Sequence, residues 1–161
     1  MRLRILVLGL GNALMTDDAF GHQMVNTLQE RFRFPAEVTV LDGGTLGLDL
    51  LPYLEEIEGL LVIDALEMGA APGTVFRLAG EDVPRAFAGK LSVHQMGLQD
   101  LLAVADLQGH LPAELVVWGV QPGSIEMGLE LTPPVAAAME EAIAGVAGEL
   151  QEWGVELRAL V

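Results

Sequence analysis

The chain contains no cysteine. Disulfides, thiolate nucleophiles and thiolate metal ligands are thereby excluded. A single lysine, Lys90, leaves Schiff-base chemistry resting on one residue without a supporting motif. The only serines, Ser92 and Ser124, occupy no Gly-x-Ser-x-Gly elbow, so covalent catalysis lacks an evident nucleophile. No apolar run approaches the roughly 20 residues of a membrane span. The amino terminus opens on a strand-like segment with no basic region or cleavage site. A soluble cytoplasmic protein without membrane insertion is expected. Bases are scarce as well, 8 against 23 acids, for a net charge of −15. That field repels a phosphate backbone and speaks against a nucleic-acid partner.

What remains is apolar and periodic. Hydrophobic residues make up 52% of the 161. At this length folding removes roughly 68–70% of the unfolded surface, enough for one core. Strands are predicted at Leu3–Leu8, Val38–Leu41, Leu60–Ala65, Val75–Leu78 and Glu114–Val120. Between them fall helical segments. One, from about Asp18 to Phe32, buries Phe20, Met24, Leu28 and Phe32 at four-residue spacing. A second lies in "LGLDLLPYLEEIEG", bent or restarted at Pro52. A third follows "SVHQMG", and a long last one has Thr132 as cap and Pro133 at its first position. Residues 1–161 therefore read as one α/β domain around a largely parallel sheet.

The stretch "LRILVLGLGNALMTDDAFG" begins like a dinucleotide fingerprint, with Gly9-x-Gly11 after a strand. Leu14 stands where that fingerprint needs a third glycine, and Asp17 and Asp18 would oppose a diphosphate at the helix start. The glycines are better read as letting the loop turn tightly so that an acid is presented. Taken singly, each acid is explained by helix capping and dipole compensation. Asp42 and Asp64, however, end the next two strands, and the carboxyl ends of parallel strands line one crevice. Asp18, Asp42 and Asp64 should converge there. His94, in "SVHQMG", adds a nitrogen near a helix start, which keeps an imidazole neutral. Two carboxylates and one imidazole suit a divalent ion such as nickel or zinc with positions left open. His22, four residues after Asp18, is either an accessory ligand or a solvated helix residue. His110 lies in a polar turn and is read as structural or exposed.

In order along the chain, "LVLGLGNALMTDDAFG", "LDGGTLGLDLL", "LVIDALEMGAAPGT", "SVHQMGLQDLL" and "VVWGVQPGSIEMGLELTP" resemble the blocks of the hydrogenase maturation endopeptidases. The resemblance covers nearly the whole chain. It implies a twisted, mostly parallel five-stranded sheet with helices on both faces and one antiparallel strand. It also implies removal of a short carboxyl-terminal extension from the nickel-loaded precursor of a nickel–iron hydrogenase large subunit. Asp18, Asp64 and His94 match that family's nickel-binding residues, and Asp42 matches an aspartate implicated in activity. His22 departs from the family pattern, which has an aliphatic or small residue there. The nickel is implied to come with the precursor, although another divalent ion could occupy the site in isolation. Two other readings stay open from the residues alone: a nickel-dependent chaperone that docks the precursor without cutting, and a nucleotide-binding enzyme.

Overall fold

The computed structural model describes residues 4–44, 47–80, 82–83, 102–109 and 111–160. Four strands run parallel: β1 (Ile5–Leu10), β3 (Val38–Gly44), β4 (Gly59–Ala65) and β6 (Glu114–Val120). The edge strand β5 (Val75–Ala79) pairs antiparallel with β6, giving the order β3-β1-β4-β6-β5. The sheet is thus five-stranded and mostly parallel with one antiparallel member, as the family resemblance implied.

Continuous apolar strands feed cores on both faces, because successive side chains point to opposite sides. Ile5 and Val7 of β1, with Leu61 and Ile63 of β4, meet α1 (Phe20–Arg31) and α3 (Pro133–Glu152). Leu6, Leu8, Leu60 and Val62 face the other way, toward Leu50, the one-turn α2 (Leu51–Leu54) and the helical residues 102–107. The predicted stripe Phe20, Met24 and Leu28 is fully buried. Phe32 leaves it: the chain turns extended there and forms β2 (Phe32–Arg33) against β7 (Arg158–Ala159). The segment around Pro52 is not one helix. A 3-10 turn at Gly47–Leu50 gives way to α2, where Pro52 sits in the first turn because its missing N–H is no loss there.

A buried acid ties α3 to the sheet. Glu149 is only 5% exposed and accepts from Arg77 Nε at 2.6 Å, Arg77 Nη2 at 3.1 Å and Trp118 Nε1 at 3.2 Å. The Trp118 ring fits because a Cβ on Gly145 of α3 would collide with it. The Arg77 guanidinium holds the Glu149 carboxyl below its ordinary value, against the opposing effect of burial. A carboxylate so lowered contributes stability that is fully present above the unfolded-state value and is lost as pH falls through the folded-state value. Acid should therefore lower the thermal midpoint of the wild type more steeply than that of Glu149→Gln. Melting curves from pH 7 down through the carboxylate range measure this, and parallel curves would remove the pair from acid sensitivity.

Candidate active site at the carboxyl rim

The loops after β1, β3, β4 and β6 all emerge at one rim, where open parallel sheets bind ligands. The chain leaves β1 for β3 on one side, while β4 lies on the other, so the β1/β4 boundary is the point where strand order reverses. Gly9 is level with Asp42 on β3 and with Ile63 on β4. Asp42 and Asp64 consequently flank the end of β1, two strand spacings or roughly 10 Å apart. Strand β3 runs on past the predicted Leu41, and the register slips between Gly9 and Leu10, leaving Gly43 as an extra residue beside Asp42. Such a bulge re-aims the neighbouring side chain.

Each of the three predicted carboxylates is oriented by a backbone N–H. Asp64 is fully buried, and its Oδ1 accepts from Ala65 at 2.8 Å. Asp42 Oδ1 accepts from Gly44 at 3.1 Å. Asp18 Oδ2 accepts from Asn12 at 2.9 Å. Asp18 lies in a 3-10 turn, Thr16–Ala19, that packs against β4 and so sits on Asp64's strand. Gly11 makes this possible: its φ is +118°, and a Cβ there would overlap the Asp18 carbonyl oxygen.

The glycine pattern has a structural reason that differs from the dinucleotide one. Leu14 does not fill the space below the helix; it is 58% exposed. The helix starts later, at Phe20, and the close approach is made by Gly21, whose absent Cβ would collide with the carbonyl oxygens of Leu10 and Ile63. Gly9 faces Gly21 across the same seam. The first turn of α1 is thereby pressed onto the β1/β4 boundary.

The adjacent acids divide their work. Asp17 is fully buried and accepts from Gly123 N (2.8 Å), Ser124 N (3.0 Å), Thr132 N (2.7 Å) and Thr132 Oγ1 (2.6 Å). It anchors the loop after β6 and the residue before α3, and Thr132, the predicted cap, gives its hydroxyl to Asp17 instead of to its own helix. Ser124 Oγ accepts from Glu126 N at 3.2 Å, a turn contact.

His94, His110, Ser92 and Lys90 lie outside the described residues. Among the described residues no three His, Asp or Glu side chains stand close enough together to hold a metal ion. Asp18 and Asp64 come to one boundary, Asp42 stands apart across β1, and a three-ligand set would need a donor from elsewhere.

Residues 22–149 match the family model for the hydrogenase maturation protease HycI. The chain is 46% identical over 157 residues to the hydrogenase expression/formation protein HupD of Rhodobacter capsulatus, covering 96% of this chain and 74% of that one. It is 43% identical over 155 residues to the hydrogenase 2 maturation protease of Escherichia coli K12, covering 96% and 94%. The solved structure of the hydrogenase maturating endopeptidase HybD from E. coli superimposes with a TM-score of 0.93 at 42% identity, over 99% of this chain and 98% of that one. The chain belongs to the hydrogenase maturation protease family. It is accordingly a hydrolase, an endopeptidase of hydrogenase maturation.

In this protease His22 lies on α1 and is bound to one of the rim acids. Its Nδ1 is hydrogen-bonded to Asp42 Oδ2, and its Nε2 lies 3.2 Å from Asn26 Nδ2. Both ring nitrogens are thus engaged, in a chain Asn26–His22–Asp42 that runs from α1 to β3. The side chains of His22 and Asp42 are each 34% exposed, so the pair borders solvent at the rim. Periodicity alone places His22 on a helix face. The contact becomes legible only once α1 is known to cross from β1 to β3, which stands its first turns beside the β3 terminus.

Proposed function

We propose that this protease removes a short carboxyl-terminal extension from the nickel-loaded precursor of a nickel–iron hydrogenase large subunit, in the cytoplasm and after nickel insertion. The precursor's own nickel is the recognition handle, engaged by Asp18, Asp64 and His94. The observation that carries the reading is the delivery of Asp18 and Asp64 to the same β1/β4 boundary, each carboxylate oriented by a backbone N–H. Carboxylate oxygens with one imidazole suit a divalent first-row ion and leave coordination positions to the precursor's own ligands. Specificity then follows from a difference in binding, since a precursor without nickel offers these acids nothing to hold.

In this reading Asp42, held by His22 and Gly44 N–H, orients a water. The water oxygen adds to the scissile carbonyl carbon and passes its proton to the Asp42 carboxylate. That proton goes on to the departing amide nitrogen as the C–N bond breaks. The shortage of nucleophiles in the sequence supports this water-borne route over a covalent one. Support for the substrate comes from the names of the similar proteins, one of which is a hydrogenase 2 maturation protease.

Mass spectrometry of precursor incubated with the protease, with and without nickel loaded beforehand, tests the reading. Loss of a small carboxyl-terminal peptide is expected from the loaded form alone. An unchanged mass of loaded precursor would reduce the protein to a docking module. Equal shortening of both forms would remove nickel from recognition.

A further inference from the structure

Beside the acid-lined crevice the protein shows a surface of the opposite kind. Leu14, Ile125, Met127 and Leu129 are 58%, 56%, 86% and 72% exposed. They come from two loops, one after β1 and one after β6, and the chain straps those loops together. Gly128 N donates to Leu14 O and Thr16 N donates to Gly128 O, both at 2.9 Å. A parallel bridge pairs Met15 with Gly128, which sets Leu14 alongside Met127. The fully buried Asp17 pins the same loop at Gly123 and Ser124. Single exposed apolar residues are ordinary; several held on one rigid platform mark an interaction site.

Charge selects the occupant. Glu126 and Glu130 are exposed within the same loop. Among the described residues of the four rim loops there are acids but no Lys or Arg. A second copy of the chain would press these carboxylates against their own kind, on molecules of net charge −15. A segment with apolar side chains flanked by Lys or Arg fits both features.

We infer that the platform of Leu14, Ile125, Met127 and Leu129 is the docking surface for an apolar, basic-flanked segment of the precursor polypeptide. This rests on the reading of the protein as a precursor-processing protease. The platform adjoins the Thr16–Ala19 turn that carries Asp18, so a chain seated on it is delivered to the crevice. Affinity for the polypeptide then resides outside the metal-reading carboxylates, which are left to report only whether nickel is present.

The test uses Met127→Ser/Leu129→Ser, whose side chains are too exposed to carry the fold, with Leu107→Ser as control. Leu107 is 88% exposed and ends the 102–107 helix, from which the chain leads into the amino end of β6, whereas the platform follows its carboxyl end. Initial rates across a range of nickel-loaded precursor concentrations should give a KM raised by about ten-fold or more in the double variant, with kcat little changed. The control should match wild type. Glu126→Lys/Glu130→Lys should also raise KM at low salt, with the difference shrinking as salt screens it. Interferometry of uncleaved precursor on immobilised protein reads docking directly, whether or not cleavage occurs. Tight wild-type binding that is weakened in the double variant supports docking even if no peptide is released, and in that case only the protease reading fails. Equal binding and equal KM in wild type and double variant overturn the docking surface while leaving processing intact. A wild-type dimer in sedimentation velocity that the double variant disperses would also overturn it, by assigning the platform to self-association.

Discussion

Asp64→Asn is expected to abolish processing of nickel-loaded precursor while leaving the fold in place. Asparagine has the shape of aspartate, and its amide oxygen can still accept the Ala65 N–H that anchors Asp64 at 2.8 Å. What disappears is one of the two carboxylate oxygens of a fully buried group at the end of β4. A group that hydrogen-bonds a metal ligand is already worth about 10–100-fold in affinity or activity, so loss of the direct ligand proposed above should cost at least about 100-fold in rate. The comparison is single-turnover processing of loaded precursor, with far-ultraviolet circular dichroism and the melting midpoint as controls. Turnover within a few-fold of wild type in a folded variant would take Asp64 out of nickel recognition. A variant that processes normally only when precursor is in large excess would instead show that the residue contributes to binding and not to the chemical step.

Its neighbour in the crevice has a counterpart that should fail in a different way. Asp17→Ala is expected to lower stability sharply and to act on processing only through that loss. The substitution removes a fully buried carboxylate and leaves the part-buried Gly123 N, Ser124 N, Thr132 N and Thr132 hydroxyl without their acceptor. Hydrogen bonds to a charged group contribute about 1.5–3 kcal/mol each and are not additive, so a total of about 3–5 kcal/mol is expected. For a chain of this length that corresponds to a fall in thermal midpoint of about 6–20 °C. Asp17→Asn should fall between, because its oxygen serves some of the donors while its NH2 meets the others. Thermal denaturation of the three proteins decides the matter. A midpoint within about 2 °C of wild type for Asp17→Ala would show that the loop after β6 is held by other means.

These two acids illustrate what a sequence can and cannot disclose. The apolar runs of β1, β4 and β6 and the Pro133 start of α3 were legible because burial and backbone restriction act locally. The rim placement of Asp42 and Asp64 was legible as well, since both follow from their position at strand ends. Asp17 and Asp18, side by side in "TDDA", were not separable. Which of them turns inward depends on a loop more than 100 residues away folding back to meet Asp17. The same holds for His22, whose partner Asp42 is reached through the path of α1 and not through any spacing. Phe32 fits a helical stripe as well as it fits a strand, and only the pairing of β2 with β7 decides between them. Local patterns carry the frame; contacts between distant segments carry the assignments.

The glycine seam has one more consequence. Helix α1 meets β1 and β4 at main-chain distance through Gly9 and Gly21, and Gly11 backs onto the Asp18 carbonyl of the turn before it. The gap between the Thr16–Ala19 turn and the tip of β4 is therefore a fixed gauge, machined by main-chain atoms before anything arrives. An incoming chain must match that gauge as it stands, so any fitting motion at this boundary belongs to the visitor.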